Sequence, residues 1–203
     1  MVIKMKKISL LVVCLAVSCA YWLKAEGTSA DDKAKSEAEK QAAQANPYAN
    51  DLGPDSLPES VLSKYPKEIQ AGYTLTVQKC TVCHSASRPL NSQFAQPEGA
   101  KKADREKALA ALKKTDPELF KNKHVWQIES DIWQRYVFRM QSKPGCEITE
   151  AEAKQIYRFF DHDSKARKLG KNKAAWKAHR EKLLADFKTK NPKRFDELYG
   201  GKK

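Results

Sequence analysis

Five consecutive residues constrain this chain more than any others: Cys80-Thr81-Val82-Cys83-His84. One helical turn can present two thiols three positions apart with an imidazole directly after the second. This is the arrangement by which a polypeptide adds two thiols across the two vinyl groups of a haem and offers a nitrogen to the iron. A chain built this way collapses around a flat apolar group rather than around its own side chains alone. The composition agrees, with 41% hydrophobic and 31% charged residues in 203. That is little core-forming material for the length, and a large buried prosthetic group repairs the shortage. A zinc site would need a second cysteine pair, which the sequence does not contain. A thioredoxin-like redox pair would need alternating strand and helix patterns around it, and none is present.

The N-terminus reads as an export signal over residues 1–25. Lys4, Lys6 and Lys7 precede an apolar run from Ile8 to Ala20 that is short for a membrane span. The mature protein is therefore expected to be periplasmic or otherwise extracytoplasmic. Leu15-Ala16-Val17-Ser18-Cys19 is similar to a lipoprotein box, which would anchor the chain through a lipid on Cys19, while Leu23-Lys24-Ala25 and Thr28-Ser29-Ala30 are competing cleavage endings. With Cys14 and Cys19 assigned to the signal, Cys80, Cys83 and Cys146 remain for the folded part. Cys146 reads as a small buried residue in a turn, with intermolecular pairing as the alternative.

Residues 26–58 are rich in Ala, Lys, Glu, Asp, Gln and Asn and poor in large apolar side chains, which predicts a flexible linker. From Glu59 to Cys80 the spacing turns helical, with Pro66 in a first turn. A loop follows through Pro89 and Asn91 to about Pro97. Lys101 to Lys114 reads as an exposed amphipathic helix within a charged insertion over 98–123. Residues 126, 128, 132, 133, 136, 137 and 140 are apolar or aromatic and predict a helix with a wide apolar face, ended by Lys143-Pro144-Gly145. Thr149 and Glu152 form a capping box for another helix, whose stripe is Ala153, Ile156, Tyr157 and Phe160. Residues 165–203 hold fourteen Lys or Arg against four Asp or Glu, most of the chain's net charge of +13. Trp176, Leu183, Leu184 and Phe187 mark a basic amphipathic helix there, ending near Asn191-Pro192. Nothing in the pattern alternates as a strand does.

A haem iron gripped on one side by His84 needs a decision about its other side, since a six-coordinate iron carries electrons and an open one binds small ligands. Met1 and Met5 fall in the signal, so Met140 is the methionine left to the folded part. It stands before a Pro-Gly turn that can bring its sulfur across the ring. His124 and His162 are alternative ligands, and His179 sits among tail lysines where it reads as solvated. Trp126 and Trp133 would wall the group or donate an indole N–H to a propionate, with plain core packing as the alternative.

Residues 59–164 resemble the class I monohaem cytochromes c. The resemblance rests on the Cys80–His84 motif and on Gly72, placed eight residues before Cys80 where the family's first helix crosses its last. It also rests on Tyr157 and Phe160 as the aromatic side of that crossing, and on Trp133 to Met140 followed by Pro144-Gly145 and Ile148-Thr149-Glu150-Ala151-Glu152. It implies an all-α, cytochrome c-like domain around one covalent haem c, with Cys80 and Cys83 as thioethers, His84 as proximal and Met140 as distal ligand. Where the family has a Gly-Pro turn after the histidine, this chain has Arg88-Pro89-Leu90, so the Pro89 carbonyl is the candidate acceptor for the His84 ring N–H. The 98–123 insertion and the 165–203 extension have no counterpart in the minimal family fold.

The expected function is electron transfer by a single haem, without net chemistry on a substrate. The alternatives are a haem subunit of a membrane-associated redox complex and a sensor or peroxidase-like protein with an open distal site. Partners would present an acidic docking face, and the Cys19 lipid or the basic tail would provide membrane association. Nucleic acid does not suit an exported haem protein despite the charge.

Overall fold

A computed structural model describes residues 29–92, 101–115, 117 and 129–200. The expected signal with Cys19, and His124 and Trp126, lie outside the described residues. The elements are helices α1 (Ala30–Ala45), α2 (Glu59–Leu62), α3 (Lys67–Cys80), α4 (Ser87–Leu90), α5 (Lys102–Thr115), α6 (Glu129–Gln141), α7 (Glu150–Arg167), α8 (Lys173–Lys190) and α9 (Pro192–Tyr199). Single 3-10 turns lie at Ala49–Leu52 and Gly170–Asn172. Among the described residues there is no strand, so the all-α expectation holds.

α7 is the central helix, and its start is fixed locally. Thr149 Oγ1 accepts from the Glu152 amide at 3.2 Å, while Glu152 Oε2 accepts from the Thr149 amide at 2.8 Å. Glu150 and Glu152 lie in its first turn and Lys165 and Arg167 in its last, both favourable to the helix dipole. Along its length Ala153, Ile156, Phe159 and Phe160 are buried, enough to pack neighbours on two sides. α3 crosses one side at Gly72, where a Cβ would lie 2.5 Å from the Gln155 carbonyl oxygen and 2.9 Å from Phe159 Cβ. Phe159, which the expected stripe omits, is the aromatic residue at the crossing, and Tyr157 is only half-buried. α6 covers the other side, with the Trp133 ring stacked on Phe160 at 4.3 Å and its indole N–H donated to Ser164 Oγ at 3.1 Å.

α3 starts after Pro66, whose fixed φ and missing N–H suit a helix entrance. The single helix expected from Glu59 is split by the turn at residues 63–66 into α2 and α3. α5 has no buried residue, as expected of a charged exposed helix.

Two expectations are corrected. The expected linker 26–58, over its described part 29–58, is packed on the body. Ser29 caps α1 by accepting from the Asp32 amide at 3.1 Å, and Ala49, Asn50 and Leu57 are buried against the body. Composition misleads here because this segment is held mostly by polar contacts. Asp51 is one example, with both carboxylate oxygens 2.7 Å from the Arg88 guanidinium.

The basic extension, described over 165–200, is helical and packed on the body. Trp176, Leu183 and Phe187 are buried, and α9 folds back so that Tyr199 meets Phe187 edge-on at 6.5 Å. Its cations donate to the carbonyls at the end of α4, where the helix dipole favours positive charge. Arg167 donates to the Leu90 carbonyl at 3.1 Å, Lys168 to Pro89 at 3.3 Å and Arg180 to Asn91 at 3.0 Å. His179 is half-buried rather than solvated, with Nε2 3.1 Å from Asn91 Oδ1. No helix among the described residues is long and apolar enough to cross a membrane.

Candidate functional site

The end of α3, the turn after it, α4 and the end of α6 enclose a two-lobed cleft. One lobe, about 430 Å³, is walled by Pro89, Trp133, Tyr136, Val137, Ile148 and Phe160. The other, about 650 Å³, is the more polar of the two and is rimmed by Lys79, Arg139, Lys143 and Glu39. Cys80, His84, Arg88 and Met140 line both lobes, and Cys83 and Cys146 line the polar one. All four site residues expected from the sequence therefore meet in one place. Chain segments far apart in sequence deliver them.

Cys80 is the last residue of α3, which its crossing with α7 holds in place. Its thiol is pushed up to about 12, first by burial and then by the neighbouring Cys146 and Cys83, so it rests protonated at neutral pH. Cys83 lies in the following turn, its sulfur 3.6 Å from Ser36 Oγ of α1.

His84 Nδ1 is 2.9 Å from the Ser85 carbonyl oxygen. A carbonyl only accepts, so Nδ1 carries the proton and Nε2 keeps a lone pair, the state an imidazole ligand needs. Burial, the largest influence, lowers the His84 pKa and reinforces the neutral ring. The expected partner was the Pro89 carbonyl. That oxygen instead accepts from the buried Lys168, and the carbonyl adjacent to His84 takes its place.

Met140 is half-buried in the last turn of α6. The chain turns directly after it, with the Lys143 amide bonded to the Met140 carbonyl at 2.9 Å and the Gln141 side chain to the Ile148 carbonyl at 2.9 Å. These bonds fix the turn that Pro144-Gly145 begins, and Gly145 has φ +74°, open to glycine at little cost.

The other candidates point elsewhere. His162 packs edge-on against Tyr65 at 4.7 Å and lines neither lobe. Trp133 lines the apolar lobe, with its N–H committed to Ser164. Cys146 is half-buried in the cleft itself, with its thiol pushed up to about 11, chiefly by burial. Among the described residues no group of three His, Cys, Asp or Glu side chains is arranged to hold a metal ion.

The residues fit a porphyrin on two counts. The lining of one lobe is apolar, formed by Pro89, Trp133, Val137, Ile148 and Phe160, and the donor set is a neutral imidazole with a thioether, a pair suited to haem iron. Sequence reasoning missed Arg88, Ser36 and Glu39 at this site. Only the Arg88-Pro89 pair near the motif hinted at any of them. Comparison with known proteins finds no family model that matches the chain, and no curated protein or solved structure that resembles it.

Proposed function

We propose that the chain is a monohaem c-type electron carrier working outside the cytoplasm. The observation that carries this reading is the convergence of Cys80, His84 and Met140 on one apolar cleft. When bound, the haem supplies an iron that accepts and returns one electron. The chain does the rest. The Cys80 and Cys83 thiols would hold the group by adding S–H across its two vinyl C=C bonds, an addition with no leaving group. His84 offers Nε2, oriented by its bond to Ser85. Met140 offers a thioether, which favours the ferrous state. Trp133, Val137 and Phe160 keep water from the ring.

The basic rim of Lys79, Arg139 and Lys143 would attract partners with an acidic face over a range of about 8 Å at physiological ionic strength. The apolar stripe of the C-terminal helices is spent on the body, which leaves the Cys19 lipid as the more direct membrane anchor. The test is mass spectrometry and an optical spectrum of the purified exported chain. One haem in the intact mass, a low-spin spectrum and no carbon monoxide binding by the reduced protein are expected. An intact mass without porphyrin ends the proposal, and ready carbon monoxide binding replaces the carrier by an open-site protein.

A further inference from the structure

α1 lies over the polar lobe in a way that its own packing scarcely justifies. One stripe of the helix is turned inward, formed by Asp32, Ser36, Glu39, Lys40 and Ala43 at helical spacing, and of these Ser36 is buried. The stripe has no large apolar side chain, so docking removes little apolar surface from water. A helix of this length is marginal on its own.

Among the described residues, three contacts tie it to the turns beneath. Ser36 Oγ meets Cys83 Sγ at 3.6 Å. The backbone passes close over Gly145, where a Cβ would lie 2.7 Å from the Asp32 carbonyl oxygen and 2.8 Å from Ser36 Cβ. Glu39 pairs with Lys143 at 2.8 Å, both side chains more than a third exposed, and such pairs are weak and screened by salt. Glu39 and Ala43 line the lobe beside Cys83 and His84. Among the described residues lining it, Glu39 is the one acid, beside the cations Lys79, Arg88, Arg139 and Lys143, of which Lys143 is its ion-pair partner.

We infer that α1 is a displaceable polar lid over the Cys83 side of the cleft, latched by Glu39 on Lys143 and occupying the basic rim until an acidic partner surface competes for it. Its role as a gate to the redox centre rests on the haem reading, whereas its mechanics do not. Opening uncovers Cys83, Lys143 and the half-buried Cys146, and raised ionic strength opens it without a partner.

Cys146 is the reporter, because it stays a free thiol whether or not Cys80 and Cys83 carry haem. The full-length purified chain is treated with neutral iodoacetamide, and the rate of Cys146 alkylation is followed by mass spectrometry. At low salt, Glu39→Gln and Lys143→Gln should each raise the rate roughly five-fold, the population change expected from loss of one weak ion pair. In 1 M salt, where screening acts over about 3 Å, the unaltered chain should approach the same rate. Glu106→Gln, which removes the exposed Lys102–Glu106 pair of α5, should change nothing.

A shift in thiolate population alone would act differently. Glu39 raises the Cys146 pKa and Lys79, not Lys143, is the lysine that lowers it, so such a shift would speed alkylation in Glu39→Gln and leave Lys143→Gln unchanged. A rise confined to Glu39→Gln, no movement, or an equal rise in Glu106→Gln overturns the lid. Failure of the haem reading is seen separately in the same spectra, as a chain without porphyrin whose Cys80 and Cys83 are alkylated as well.

Discussion

Gly72 shows how a single side-chain choice sets the position of a cleft residue. Alanine is the better helix former by about 1 kcal/mol, so Gly72→Ala would stabilise α3 were the site open. The nearest atom to the new methyl is a backbone carbonyl oxygen at 2.5 Å, which cannot swing aside as a side chain can. The crossing must widen, and overpacking of this kind costs about 1–3 kcal/mol. A net loss is expected in urea unfolding, together with a shift of the Cys80 end of α3. Met140 offers a second test at this scale. In the haem reading, Met140→Ala removes the thioether and should lower the reduction potential in a redox titration and admit carbon monoxide.

His179 gives the chain a pH dependence of known sign. Asn91 donates its Nδ2 to the Pro54 and Ser87 carbonyls, so its Oδ1 accepts from His179 Nε2–H. Burial, then the neighbouring Arg180, Arg167 and Lys168, lower the His179 pKa from 6.5. The unfolded chain therefore binds this proton more readily than the folded one. The stability it contributes is complete above about pH 6.5 and is lost as pH falls toward the lower folded value. Denaturant midpoints measured from pH 7.5 to 5 should decline, and His179→Gln, which can still donate to Asn91, should flatten part of that decline.

At the scale of elements, the C-terminal helices decide how the apolar wall is held. Three successive carbonyls, of Pro89, Leu90 and Asn91, are each capped by a cation from the far end of the chain. Phe187 is fully buried where α8 packs on the rest. Phe187→Ala should cost about 3–5 kcal/mol, and Trp176 fluorescence and overall helicity should fall in one transition. An appended, solubilising helix would instead melt separately and leave the body unchanged.

The same elements show what could be read in advance. The capping box of α7, the stop after α6 and the cysteine end of α3 are local signals, written within a few residues, and they appear where expected. The break at Asn191 appears too, although Pro192 starts α9 rather than ending structure. α1 and the 49–52 turn were not legible, because hydrogen bonds and ion pairs to distant residues hold them and leave no apolar period. The packing of the basic tail was hidden for a related reason. An amphipathic stripe announces that a helix must cover something, but not whether that surface is a lipid, a partner or its own chain.

At the scale of the whole molecule, the cleft is also part of the core. Trp133 and Phe160, which stack between α6 and α7, and Val137 and Ile148 belong to the central apolar cluster, and all four also line the apolar lobe. A ring occupying that lobe therefore touches both helices that pack on α7 or end at it, and the site residues lie at those helix ends. In the haem reading, binding the group and holding the fold are one process, and the few core-forming residues of a chain with net charge +13 become sufficient. A Cys80→Ser, Cys83→Ser variant, unable to form either thioether, should export without covalent haem and unfold earlier. Loss of about 3 kcal/mol of apolar contact corresponds to roughly 6–12 °C in Tm for a chain of this size. The α8–α9 clasp does not touch the ring, so Phe187→Ala should lower Tm by a similar amount in the haem-free variant and in the unaltered chain. A thermal midpoint unmoved by the double serine substitution would mean that the apolar lobe is filled by something other than a thioether-bound ring.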